Sequence, residues 1–309
     1  MKNYFFLAAC ICLALSCQKA DIIENEEEVT TEMPATKAKK FTFTVKGDFG
    51  AATFTRGYLA ADGQDMTDLW VFDYVDGTCV QTVHQTAEDA NWGKPSMALT
   101  YGSHHVYFVA SRGDEPTLSE DAHTITWGTP RDAFWKDYEV EVLNTSNGNR
   151  AVTLDRVATK LRLTIQDEVP TGCSAVNVTP DTWYYGLDYV TGAAVTAKKQ
   201  TRTVSVPASY IGTSGQMAVS IFGVSKADEW VTNVAVTATD AEGKVLGSVN
   251  IAGAPFKSNR STEYSGNLFG SAGALDVSVN ASWEQPKTLT WLTKKHRGVM
   301  LRCSFRSAS

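Results

Sequence analysis

The sequence predicts an all-β protein, and three observations carry that reading. Apolar and polar residues alternate with period two over many short stretches. Gly, Pro, Asn and Asp recur every ten or so residues between those stretches, where turns need them. No run of a dozen residues has a strong 3.6-residue period, the mark of an amphipathic helix. Many short strands joined by close turns imply antiparallel sheets built into sandwiches or barrels. With 43% hydrophobic residues the chain can fill real cores.

The first element is not a strand. Lys2 precedes a 13-residue apolar run, residues 4–16, which has the length of a signal peptide core and is too short to span a bilayer. It ends in Ala14-Leu15-Ser16-Cys17, which reads as the processing site of a bacterial lipoprotein. Cys17 would then begin the mature chain and carry lipid, although leucine is commoner where Ala14 stands. Leu7-Ala8-Ala9-Cys10 fits such a box better by letter, but leaves only residues 3–6 as an apolar run. An ordinary secretory signal, with Cys17 an incidental thiol, ranks second. Cleavage before Cys17 leaves 309 − 16 = 293 residues, which favours two domains over one.

Residues 17–40 are polar, first acidic and then basic, and read as a tether because they cannot bury enough apolar surface to fold. Phe41, Phe43 and Val45 alternate with Thr42, Thr44 and Lys46, which predicts a half-buried strand. Leu69-Trp70-Val71-Phe72-Asp73-Tyr74-Val75 and residues 78–84 flank Asp76-Gly77, a two-residue loop suited to a type I′ turn. A β-hairpin follows. Further strands are predicted at 96–100, 105–110, 123–127 and 138–142, with one helical turn at 131–136. Asn144-Thr145-Ser146-Asn147-Gly148-Asn149 is the strongest breaker cluster, and the domain boundary is placed there. Val157, Leu161, Leu163 and Ile165 mark the next strand, with Lys160, Arg162 and Thr164 on its other face. More strands fall at 175–178, 182–187, 203–206, 216–222, 231–239, 244–251, 262–268 and 274–283. The division is therefore a signal at 1–16, a tether at 17–40, sandwiches at 41–150 and 151–292, and a basic tail at 293–309.

Three stretches together carry a family resemblance. They are Asp68-Leu69-Trp70-Val71-Phe72-Asp73-Tyr74, Leu154-Asp155-Arg156-Val157-Ala158-Thr159-Lys160-Leu161-Arg162-Leu163, and Asn259-Arg260-Ser261-Thr262-Glu263-Tyr264-Ser265-Gly266-Asn267-Leu268-Phe269. With the lipoprotein signal, the chain resembles the fimbrillin-like proteins of Bacteroidetes, which include the subunits of type V pili. The resemblance runs from about Phe41 to Trp283. It implies two tandem transthyretin-like antiparallel β-sandwich domains, display at the outer membrane or in a fimbrium, and assembly with other pilus subunits by donor-strand exchange. In the shaft subunits of that family a protease cuts after an arginine in the N-terminal region, and a strand from the next subunit replaces the one removed. Arg56 is the only arginine before Arg112, so the resemblance puts the cut between Arg56 and Gly57. Anchor subunits keep their lipid and are not cut; Arg56 is equally readable as a surface arginine. At the other end, residues 287–292 could serve as a donor or a final strand, and the tail beyond departs from the family pattern.

No enzyme chemistry is legible. No nucleophile elbow, phosphate loop or paired-carboxylate motif is present, and no C-x-x-C suggests zinc. No cofactor is expected. His104 and His105 are strand neighbours pointing to opposite faces, so they would not share a metal. His84 and Glu88 are no more than a weak metal hint. Cys79, Cys173 and Cys303 are too few and too widely spaced for a disulfide framework. The net charge of −6 argues against nucleic acid as a partner. Two functions fit: a surface structural or adhesive protein contacting other subunits or a host protein or glycan, and a glycan-binding lipoprotein of nutrient capture. The second would use Trp92, Trp127, Trp135, Trp183 or Trp230 as exposed stacking platforms.

Overall fold

A computed structural model describes residues 37–47, 66–112, 114–225, 229–270 and 275–280. The expectations at Cys17, Arg56, Gly57, Cys303 and 287–292 lie outside the described residues. Within them, nineteen strands follow one another: β1 (Ala38–Gly47), β2 (Asp68–Val75), β3 (Thr78–Thr86), β4 (Ser96–Thr100), β5 (Gly102–Ser111), β6 (Asp114–Ser119), β7 (Thr124–Thr129), β8 (Ala133–Val142), β9 (Asn149–Arg156), β10 (Ala158–Ile165), β11 (Ala175–Pro180), β12 (Trp183–Asp188), β13 (Ala194–Lys198), β14 (Arg202–Ser205), β15 (Met217–Val224), β16 (Trp230–Thr239), β17 (Val245–Phe256), β18 (Arg260–Gly266) and β19 (Leu275–Asn280). One 3₁₀ turn, Ala208–Tyr210, interrupts them. The fold is nearly all β and sandwich-like, as the alternation requires.

Seven strands form one sheet in the order β3-β2-β5-β8-β9-β1-β4. Its two edges curl towards each other, and the Gln81 side-chain carbonyl accepts the Ala98 N–H at 3.2 Å across the gap. The inner face buries Phe41, Phe43, Val45, Leu69, Val71, Phe108, Phe134 and Leu154. The predicted hairpin is present, with Asp76 and Gly77 both at positive φ (50° and 76°), the backbone a type I′ turn demands. The helical turn expected at 131–136 is not formed. Ala133–Val142 is a strand because Phe134 is wanted by the inner core while its neighbour Trp135 packs on the outer face.

A second sheet runs β19-β18-β10-β15-β12-β7-β6, with β13 added to β12, and a four-stranded sheet, β14-β11-β16-β17, packs against it. Leu161, Leu163, Ile165, Trp183, Tyr185, Val219, Val234, Val236 and Phe256 fill the space between. The β6–β7 hairpin precedes the 144–149 breaker in sequence but joins the later sheet through β7 and β12. Two pairings are parallel, β1 with β9 and β10 with β18, each joining strands far apart in the chain.

A third core lies where the outer face of β2 and β5 meets β7, β12 and β15. Phe72 stacks on Tyr189 at 3.9 Å and 7°, among Trp70, Val109, Ile125, Leu187 and Val224. The polar face of β10 is covered as well: Lys160 is 0% exposed and Arg162 is 9% exposed.

Candidate functional site

Strand β1 is the element on which the expectation of strand exchange bears. It opens at Ala38, three residues before the expected Phe41. Though first in the described chain, it is an interior strand. Ala38 to Thr42 pair antiparallel with β4, and Thr42 to Gly47 pair parallel with β9. Past the β4 ladder, the Phe43 and Val45 N–H groups donate to the carbonyls of Pro95 and Gly93 at 2.9 and 3.0 Å. Both edges are thus hydrogen-bonded from Thr42 to Val45, the stretch that carries Phe43.

Its inward side chains are fully buried. Phe43 meets Phe108 edge-on at 5.1 Å and Tyr138 at 6.0 Å. The Arg150 guanidinium lies 5.1 Å from the Phe41 ring centre. At roughly 2 kcal/mol for each of Phe41, Phe43 and Val45, β1 holds a large share of the ~5–15 kcal/mol that keeps a domain folded. A body without β1 would carry an apolar groove bordered by two unpaired strand edges, a template for another strand.

The entry to β1 is fastened by the loop between β8 and β9. Lys39 Nζ donates to the Asn144 carbonyl and, at 2.9 Å, to that of Ser146. Gly148 is required there: a Cβ on it would stand 2.2 Å from the Lys40 carbonyl oxygen. The breaker cluster at 144–149 is thus also part of the β1 clasp. Sequence patterning gave no sign of this, because the contact is between residues about a hundred positions apart.

The stretches that carried the resemblance build the seams of the fold. Arg156 grips Asp132 with two hydrogen bonds of 2.9 Å, and its guanidinium sits 4.9 Å from the Phe134 ring centre. It also reaches Asn259 Oδ1 at 3.4 Å, and the Asn259 N–H donates to the Ala158 carbonyl at 2.9 Å. The Asp167 carboxylate accepts the N–H groups of Leu268, Phe269 and Gly270, closing β18 onto the end of β10. Burial pushes the Lys160 ammonium down to about 8, against the pull of the Glu263 charge.

The candidate chemical groups separate as the strand geometry dictates. His104 points inward and Nδ1 lies 2.7 Å from Asp73 Oδ1, while Nε2 lies 2.9 Å from the Thr100 carbonyl. Burial raises the Asp73 carboxyl above its ordinary range, opposed by the His104 hydrogen bond. His105 points outward to Asp137. His84 bonds Asp68 at 2.9 Å and stacks on Trp70 at 4.6 Å. Cys79 is exposed and Cys173 buried, and both are free. Trp92, Trp127 and Trp183 are buried. Trp127, Trp135, Trp183 and Trp230 donate their indole N–H to Ser111, Tyr189, Phe222 and Ser225. Among the described residues no tryptophan forms the exposed platform that glycan stacking would use.

No family model matches the chain, and no curated protein matches it. Solved structures do. A Bacteroides ovatus protein provisionally named an adhesin is 14% identical with a TM-score of 0.47, covering 82% of this chain and 97% of its own. A fimbrial assembly protein from Parabacteroides distasonis is 11% identical with a TM-score of 0.47, covering 79% and 99%. The tip fimbrial protein Mfa3 from Porphyromonas gingivalis, truncated at its C-terminus, is 12% identical with a TM-score of 0.44, covering 79% and 100%.

Proposed function

We propose that this chain is a structural and adhesive protein of the cell surface, a fimbrillin-like pilus subunit or pilus-associated adhesin held by lipid on Cys17. The observation that carries the reading is β1: an interior, doubly paired strand at the start of the folded body, with an apolar face that a replacement strand would satisfy. In the sequence Arg56 falls between Gly47, the last residue of β1, and Asp68, the first of β2. A cut between Arg56 and Gly57 would leave β1 held by non-covalent contacts alone. A strand from a second subunit would then take its place, with the lipid leaving on the excised piece. Without the cut, Cys17 is the lasting attachment to the outer membrane. The two halves, 41–150 and 151–292, are proposed as transthyretin-like sandwiches, with the β6–β7 hairpin lent to the second. The neighbours named as adhesins and fimbrial proteins are of the same kind. The role is non-enzymatic.

Radiolabelled palmitate in the native host tests the anchoring. Incorporation lost on Cys17→Ala, together with antibody labelling of intact wild-type cells, supports the reading. Unchanged labelling of the variant, or a protein reached only after lysis, overturns it.

A further inference from the structure

The geometry points to a zinc site on the outer face of the first sheet, formed by His105, Asp137 and Glu139. The three residues come from β5 and β8, which are paired antiparallel along ten residues of each strand. His105 stands directly opposite Glu139, and Asp137 is opposite Tyr107, one step along the same face. Strand register therefore delivers one imidazole and two carboxylates to one spot. Nothing in the linear spacing shows it, because 32 residues separate His105 from Asp137.

The atoms are close to coordinating positions. His105 Nδ1 lies 3.1 Å from one Asp137 oxygen and 3.2 Å from the other. Two donors on one tetrahedral zinc ion, each about 2.0–2.2 Å from the metal, stand about 3.4 Å apart. A donor atom from each of the three residues lies within 4.8 Å of the others, so side-chain rotation alone closes the set. Among the described residues no lysine or arginine is paired with Asp137 or Glu139.

The support is rigid. Tyr107 is buried, and its ring lies nearly parallel to that of His105 at 6.0 Å and 20°. The next acid on this face, Glu141, is already taken by Ser103. The His105 side chain is 49% exposed, so the remaining coordination position opens to solvent. An imidazole with two carboxylates and an open position is a donor set for zinc; calcium and magnesium prefer oxygen alone.

Calorimetric titration of metal-stripped mature protein with Zn²⁺ tests the proposal. One ion should bind per chain, and His105→Ala should weaken binding about tenfold or more, since even the loss of a supporting partner costs that much. Asp137→Asn and Glu139→Gln should each weaken it. His84→Ala, which removes the other exposed histidine–aspartate pair, should leave it unchanged. Absorption bands of four- or five-coordinate Co²⁺ in the wild-type protein, displaced by Zn²⁺, provide a readout independent of any variant. No stoichiometric binding, or binding that survives His105→Ala or is lost with His84→Ala, overturns the proposal.

Discussion

Replacing Lys160 with Met should make the protein more stable. The ammonium lies in the middle of β10, 0% exposed, opposite Phe222 on β15 and Ser261 on β18. Burial lowers it to about 8 from 10.5, and the Glu263 attraction is already included in that balance. The folded protein thus releases this proton more readily than the open chain does. Below pH 8 the fold pays for holding the charge; the open chain binds more protons between pH 8 and 10.5, so stability rises with pH across that window. At about 1.4 kcal/mol per pH unit, the penalty near pH 7 is about 3 kcal/mol. Met has similar length and no charge, and Glu263 keeps Arg162 at 4.0 Å. Lys160→Met should therefore gain up to about 3 kcal/mol in urea unfolding at pH 7, with the gain shrinking towards zero by about pH 10.5. Comparing the two proteins at each pH cancels the other titrating groups. A variant less stable at pH 7, or one whose difference from wild type does not change with pH, would refute the reasoning.

Other expectations follow from the same geometry. Gly148→Ala pushes a Cβ to 2.2 Å from the Lys40 carbonyl oxygen. It should cost about 1–3 kcal/mol and speed hydrogen exchange at Phe41, Phe43 and Val45 ahead of the other strands. Arg156→Met leaves Asp132 without its fork and should destabilise by about 3 kcal/mol, measured by chemical unfolding. Asp73, raised by burial, holds its proton more tightly in the fold than in the open chain. Its penalty grows as pH rises above 3.8, so the stability of Asp73→Asn relative to wild type should increase between pH 3 and pH 7. A relative stability that falls over that range would contradict the assignment.

Local pattern was enough for the strands whose two faces meet different surroundings. The 41–45 alternation and the strand expected at 231–239 appear as strands, and Asp76-Gly77 appears as the turn. It failed where both faces are covered. Ala133–Lys136 lacks an obvious polar face because Phe134 and Trp135 serve different cores, and Lys160, a polar residue of the alternating strand β10, is fully buried. Pairing between distant strands was also out of reach. Neither the clasp of β1 by Gly148 nor the meeting of His105 with Asp137 and Glu139 follows from spacing along the chain, since sheet order decides both. The stretches that carried the resemblance proved to be fold-building residues, with Arg156 and Asn259 tying β9, β10 and β18 together.

The replaceability of β1 is tested most directly by treating the purified mature chain with an arginine-specific protease and following its N-terminus and size. The reading predicts a product that begins at Gly57, the loss of the fragment containing Phe41 and Phe43, and the growth of ordered polymers. Polymer growth should be blocked by Arg56→Ala. A chain that stays monomeric after the cut, or polymers that form with β1 still seated between β4 and β9, would contradict it.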